Sequence, residues 1–394
     1  MQTFAILGNH PDLSLAELFV QTGDMPTEHA NDVAIFNGVH EELTTLAARL
    51  GGVQKLGYIV GSMARTDLVE LSDVVVANVL SDLPEGKMTF GISVYDAGDA
   101  ERTGMLRKHV DAIGLTVKAK LIEANVNARY ATSRGTVLSS AAVSKNQLLE
   151  KGAEYVFLVT EKQIYIGQTI AIQPFEDWSH RDYDRPARNA KRGMLPPKLA
   201  RMMINLAGGD PTGQTLYDPF CGSGTVLMEA ALVGYGRLIG SDISERAVAD
   251  TTKNLAWLER EDYTVPEPTL FASKASNVSA FMKPETVDVI VTEPFLGHPR
   301  TGFESARDVT DGVKDLADLY RESFSALRKI MKPGAVLVVA NPVHFVKEQA
   351  FEVPVRVFTN DCGFRLDSHL PDDMLYRRED QFVGRHILKL LAIG

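Results

Sequence analysis

A chain of 394 residues with 45% apolar residues, 23% charged residues and a formal net charge of −10 is long enough for two or three domains and ordinary enough to be globular. It has no run of about 18 apolar residues to span a bilayer, its opening Met1-Gln2-Thr3-Phe4 lacks the basic start of a secretory leader, and Cys221 and Cys362 alone make neither a disulfide framework nor a thiolate metal cage. Membrane-spanning, secreted and thiolate-metal classes are thereby set aside, and cytoplasmic residence is the expectation.

The acidity is uneven. Residues 1–100 carry 4 basic and 14 acidic side chains, whereas residues 101–200 carry 16 basic and 10 acidic ones. A local basic excess of this kind can hold a phosphate backbone despite global acidity, because each neutralised phosphate releases counterions.

In chain order, residues 1–66 read as a small α+β unit: a strand over 4–7, a helix over 14–22 capped by Asp12 or Ser14, and a helix over 40–50 stopped by Gly51-Gly52. Residues 67–175 read as a second α/β domain, with helices over 68–80, 105–113 and 139–151 and strands over 88–95, 117–122, 155–160 and 163–169. Residues 176–198 are proline-bearing, charged and aperiodic, which predicts a linker. From 199 to 394 helices (198–206, 225–233, 245–258, 316–330) alternate with strands (215–219, 237–241, 287–291, 335–340), the pattern of a parallel sheet covered on both faces.

The sharpest motif is Asp218-Pro219-Phe220-Cys221-Gly222-Ser223-Gly224-Thr225, a strand end followed by a glycine turn that opens a helix. In an open α/β sheet ligands sit at that place. Gly222 and Gly224 let the backbone approach a ligand, and Asp218 offers a carboxylate to a cationic or amino-bearing group. Asp242, about twenty residues further on at the next strand end, stands where an acidic side chain receives ribose hydroxyls, with Ile243 beside it. A dinucleotide fingerprint would want glycine where Leu227 stands, so S-adenosylmethionine, which has a ribose and no phosphate, fits better.

The second motif, Thr292-Glu293-Pro294-Phe295-Leu296-Gly297, follows an apolar strand. An exocyclic amine is a poor nucleophile because its lone pair is delocalised into the ring. An enzyme that alkylates one must offer acceptor oxygens that orient it, and Glu293 or a neighbouring carbonyl can do so. Phe295 supplies a flat surface for a base that has left its stack.

Asp-Pro-Phe-Cys-Gly-Ser-Gly-Thr at 218–225 resembles the cofactor motif of the THUMP-domain tRNA guanosine-10 N2-methyltransferases. The stretch from Arg181 to Arg188 with Gly193 to Ala200 is similar to that family's interdomain segment, and Gln381 to His386 looks like its closing strand. The resemblance implies a ferredoxin-like domain (1–66), a THUMP RNA-binding domain (67–175), a basic linker (176–198) and a Rossmann-like, doubly wound class I methyltransferase domain (199–394) whose mostly parallel sheet ends in an antiparallel strand. It implies a donor site at Asp218, Pro219, Phe220, Gly222, Gly224, Thr225, Asp242 and Ile243, with Ser276 or Asn277 against adenine, and an acceptor corner at Thr292, Glu293, Pro294 and Phe295. The family's corner usually reads Asp or Asn, Pro, Pro, aromatic. Here Thr292 holds the usual acceptor position, so either the acceptor has moved to Glu293 or the amine is presented differently.

Structured RNA, namely tRNA, is the implied partner, with Lys145, Arg181, Arg185, Arg188, Lys191 and Arg192 as candidate phosphate contacts. His180 and His298 lack a second ligand at metal spacing and read as polar loop residues, so no metal is expected. Two alternatives stay open: an amino-methyltransferase of another RNA or DNA base, and an RNA-binding protein whose corner no longer works.

Overall fold

Two sheets organise the chain, in a computed structural model that describes residues 1–394 apart from 40, 84–85, 133–134, 189–193, 379–380 and 394. Contacts divide it into unit 1, Met1–Phe175, and unit 2, Glu176–Gly394.

Unit 1 runs β1 (Thr3–Leu7), α1 (Pro11–Thr22), β2 (Glu28–Ala30), β3 (Val33–Phe36), α2 (Leu43–Arg49), β4 (Val53–Met63), α3 (Leu68–Ser81), β5 (Met88–Asp96), α4 (Ala100–Glu123), β6 (Ala128–Ala131), α5 (Ser140–Lys145), β7 (Gly152–Val159) and β8 (Ile164–Ile172). Its strands form one sheet in the order β2-β3-β1-β4-β8-β7-β5-β6. The sheet therefore passes without interruption through the division expected at residue 66. β4, which no strand in the sequence reading foresaw, pairs with β1 on one side and with β8 on the other. A buried ion pair ties the same segments: the Lys55 ammonium of β4 lies 2.5 Å from the Glu154 carboxylate of β7 and donates to the Leu138 carbonyl at 2.6 Å.

Two helices of unit 1 also depart from the sequence reading. The helix over 105–113 and strand over 117–122 are one 24-residue helix, α4. Leu106, Val110, Ile113, Val117 and Leu121 recur every three or four residues and are all buried, so helical burial overrides the local β-propensity of 117–122. The helix over 139–151 shortens to α5, capped by Ser139, whose hydroxyl accepts from the Ala142 amide at 3.2 Å.

Unit 2 begins with α6 (Phe175–Tyr183) and α7 (Pro197–Ala207), followed by β9 (Thr215–Asp218), α8 (Thr225–Val233), β10 (Arg237–Asp242), α9 (Glu245–Arg260), β11 (Thr269–Ala272), β12 (Val287–Thr292), α10 (Ala306–Arg328) and β13 (Met331–Val346). β14 (Gln349–Glu352), α11 (Val355–Phe358), β15 (Phe364–Leu366), β16 (Leu375–Tyr376) and β17 (Val383–Ala392) complete it. The sheet order is β11-β10-β9-β12-β13-β17-β15. Neighbours from β11 to β13 are parallel, and β17 runs antiparallel beside β13. Val287, Val289, Ile290 and Val291 of β12 are buried, as a central parallel strand covered on both faces requires. The chain leaves β9 for β10 on one side and later returns to β12 on the other, which opens a crevice at the carboxyl ends of these three strands.

The stretch expected as an aperiodic linker holds α6 and the start of α7. α6 stays put because Trp178 is buried and three cations lie over its ring: Arg181 at 4.3 Å, Arg201 at 5.5 Å and Lys198 at 6.0 Å. Arg181 donates to one oxygen of buried Glu229 at 2.8 Å, and Arg201 donates to the other at 2.8 Å. Removing the shared carboxylate would strand two buried cations. Glu229→Ala should lower the unfolding free energy by about 3 kcal/mol or more, read as a drop in urea midpoint; an unchanged midpoint would show that the cluster is dispensable.

Candidate active site

Asp218 closes β9, and residues 219–224 turn the chain into α8. Gly222 (φ 55°) and Gly224 (φ 84°) both take left-handed backbone. At Gly224 a Cβ would lie 2.9 Å from Thr251 Cγ2 of α9, so the helix packs directly on the turn. The Thr251 hydroxyl donates to the Gly222 carbonyl at 3.1 Å, and the Asn254 amide donates to the carbonyls of Ser223 at 2.7 Å and Ala187 at 2.9 Å. Neither residue is visible in the motif. Both act from a neighbouring helix that sequence spacing cannot link to the turn.

Asp242 ends β10. Its two oxygens accept from the Gly222 amide at 3.1 Å and the Ser244 amide at 2.9 Å, which locks the carboxylate against the glycine turn. Asp218 Oδ1 accepts from the Phe220 amide at 3.1 Å and from the Thr292 hydroxyl at 2.7 Å. Burial pushes the Asp218 carboxyl up to about 7, against the lowering effect of those two donors and with Asp242 and Glu293 raising it further. A fully buried carboxyl that no cation among the described residues neutralises is suited to receive one from a ligand.

The second motif meets the first here. Thr292, the end of β12, is fully buried, donates its hydroxyl to Asp218 and is not among the residues that line the cavity. It therefore braces Asp218 from behind the space that an amine would occupy. Glu293, the next residue, faces the cavity and forms a tight ion pair with Arg385 of β17. Burial raises the Glu293 carboxyl, and Arg385 opposes that rise. Pro294 and Phe295 complete the wall; Phe295 is 47% exposed, its ring meets the His298 imidazole edge-on at 5.5 Å between centres, and its carbonyl accepts from the buried Tyr320 hydroxyl at 3.2 Å.

Both motifs line one cavity of about 830 Å³, with Met194, Leu195, Ile243, Ser276, Leu319 and Glu322 among its other walls. That size suits a nucleoside-sized cofactor together with a base. Pro219, Phe220, Gly222, Thr225 and Asp242 line it as well; Asn277 is exposed in the turn that follows β11 and does not. Arg385, Tyr320 and Glu322 were missed because they reach the site from the last strand and from α10, far along the chain.

The candidate RNA contacts separate. Arg181 is buried on Glu229, and Arg185 is buried with its guanidinium donating to Thr225 Oγ1 at 2.7 Å, so both brace unit 2 internally and neither presents a free cation to phosphate. Arg188 is exposed, its guanidinium 4.6 Å from the centre of the Tyr183 ring, and Lys145 is exposed at the end of α5. Lys191 and Arg192 lie outside the described residues. Among the described residues no cluster of His, Cys, Asp or Glu is placed to hold a metal ion, and no helix is long and apolar enough to cross a membrane.

A sheet in this order, with its glycine turn at the reversal and its last strand antiparallel, sets unit 2 among the Rossmann-like methyltransferases. Residues 185–353 match the family model described as RMKL-like, methyltransferase domain. The tRNA (guanine(10)-N2)-dimethyltransferase of Methanothermobacter thermautotrophicus is 35% identical over 150 residues, 38% of this chain and 39% of that protein. A protein of Methanothermococcus thermolithotrophicus named "Probable tRNA (guanine(10)-N2)-dimethyltransferase" is 32% identical over 124 residues, 30% of this chain and 72% of that one. Among solved structures, TrmN from Thermus thermophilus superposes with a TM-score of 0.56 at 18% identity, covering 100% of this chain and 99% of its own. The chain belongs to the tRNA guanine N2-methyltransferase family. Its alignments span between 39% and 62% of the length of three such relatives.

Proposed function

We propose that the protein transfers a methyl group from S-adenosylmethionine to the exocyclic N2 amine of a guanosine in tRNA, guanosine-10 by analogy with the named relatives. The observation that carries this reading is the direct hydrogen bond between the two motifs, Thr292 Oγ1 to Asp218 Oδ1, which puts a cation-seeking carboxylate and an amine-accepting corner in one cavity.

The residues fit the cofactor. Asp218 would meet the ammonium of its methionine portion, Asp242 would accept from the ribose hydroxyls with lone pairs its two backbone donors leave free, and Ile243 and Ser276 would lie against the adenine. When bound, S-adenosylmethionine supplies a methyl group on a positively charged sulfur that leaves with the bonding electron pair. The chain contributes alignment and electrostatics. Phe295 carries the extruded guanine on its exposed ring, and Glu293 accepts a hydrogen bond from the amine and aims its lone pair. As the new N–C bond forms, positive charge grows on the amine. The Glu293 carboxylate stabilises it and can take the surplus proton.

Unit 1, with Lys145 exposed, and Arg188 of unit 2 are the candidate grips on tRNA, and unit 1 is the THUMP-bearing portion in this reading, with the cytoplasm as the place of work. Nucleoside mass spectrometry of an unmodified tRNA transcript after incubation with protein and donor should find N2-methylated guanosine. Methyl on adenine or cytosine would move the protein to another amino-methyltransferase specificity, and no methyl despite tight tRNA binding would make it an RNA-binding protein.

A further inference from the structure

We propose that Arg385 is a positioning residue: it keeps Glu293 as an aimed carboxylate, so that the acceptor corner works at neutral pH although its acidic side chain is withdrawn from bulk water. The inference rests on the amine-methylating reading of the corner and adds a role to a residue of the last strand.

Glu293 leaves the end of β12 with its side chain only 14% exposed, and Arg385, at 8%, forms an ion pair with its Oε1. Arg385 is the one hydrogen-bond donor to that carboxylate among the described residues. It comes from β17, two strands away from β12, with Pro342 of the intervening β13 opposite it in register. One oxygen of Glu293 is thus held, and the side chain still lines the cavity. An arginine suits this place because it stays charged when buried and donates in a fixed direction from its planar fork.

None of the other titratable groups described around Glu293 favours its ionisation. Asp218 of β9 is acidic and couples to it unfavourably. Tyr320 of α10 is buried and neutral, its hydroxyl held well above the usual range, and Glu322 of the same helix lines the cavity. His344 of β13 packs behind Gly297 and is held neutral, its imidazole pushed down to about 4 by burial and by Arg300. Arg385 is therefore the cation that offsets burial at the corner. Without it, burial acts unopposed and favours the protonated Glu293, a hydrogen-bond donor facing the hydrogens of the amine it should accept from.

The test uses full-length protein with Arg385→Met and Arg385→Lys. The Glu293 carboxyl, followed by carbon-13 NMR with Glu293→Gln to assign the signal, should titrate at least one pH unit higher in Arg385→Met than in wild type and near wild type in Arg385→Lys. The acidic limb of kcat/KM for tRNA methylation should move up by the same amount, with turnover at pH 7 falling roughly 10- to 100-fold, donor affinity unchanged in calorimetry and partial recovery in Arg385→Lys. An unmoved Glu293 titration, or a loss of turnover by the same factor at every pH, would overturn the role. If wild type transfers no methyl to tRNA while the Glu293 signal still shifts, the substrate reading fails and the pairing inference stands.

Discussion

Glu293→Ala is expected to lower kcat for methyl transfer by roughly 100- to 1000-fold while calorimetric affinity for S-adenosylmethionine stays at the wild-type level. The separation follows from placement. In the proposed reading Glu293, paired with Arg385, lines the acceptor side of the cavity, whereas Asp218, Asp242 and the glycine turn line the donor side. An acceptor that orients the amine acts mainly as charge develops on nitrogen, so its loss appears in kcat more than in KM. A variant with normal kcat and raised KM would reassign Glu293 to tRNA holding alone.

Asp218→Ala should abolish measurable donor binding, and the wild type should show why in its pH dependence. The Asp218 carboxyl sits at about 7 through burial, so below that value the cofactor ammonium must displace a proton before it can pair. Donor affinity should accordingly fall about tenfold per pH unit below pH 7 and level off above it, with proton release on binding near pH 6. The sign for stability is opposite. With the folded value raised above the unfolded one, the contribution of this group is fully present below about pH 4 and is lost as pH rises through about 7. Asp218→Asn should therefore make the ligand-free protein more stable than wild type at pH 8, by on the order of 4 kcal/mol, with less than half of that advantage at pH 5. Equal stability at both pH values, or donor affinity flat from pH 5 to 8, would show that Asp218 is not the ammonium partner.

What could be read in the sequence is what depends on local spacing. The helix α8, running Thr225–Val233, follows directly from the glycine turn and its closing Gly234, and the alternation of strands and helices beyond residue 199 gave the sheet class. The meeting of Asp218, Asp242 and Glu293 in one cavity was legible too, since the first two close strands and the third directly follows one in a sheet whose strand ends lie side by side. Features that depend on tertiary partners were not. Arg181 and Arg185 look like phosphate-binding cations in a charged stretch, and only the folded chain shows Arg181 paired with Glu229 and Arg185 buried against the Thr225 hydroxyl. Thr292 stands at the family's usual acceptor position, and only the folded chain shows it buried, outside the cavity lining, with its hydroxyl donated to Asp218. The single sheet of unit 1 was hidden because β4, whose Lys55 breaks the apolar pattern, finds its counterion ninety-nine residues away on β7.

The most direct test of the central claim, that one cavity presents an exocyclic amine to the donor, compares two tRNA transcripts that differ at position 10: guanosine, which has the N2 amine, and inosine, which lacks it. With methyl-labelled donor, the account predicts label in the guanosine transcript, none in the inosine transcript, and competition by the inosine transcript for the same protein. Equal labelling of both would contradict it.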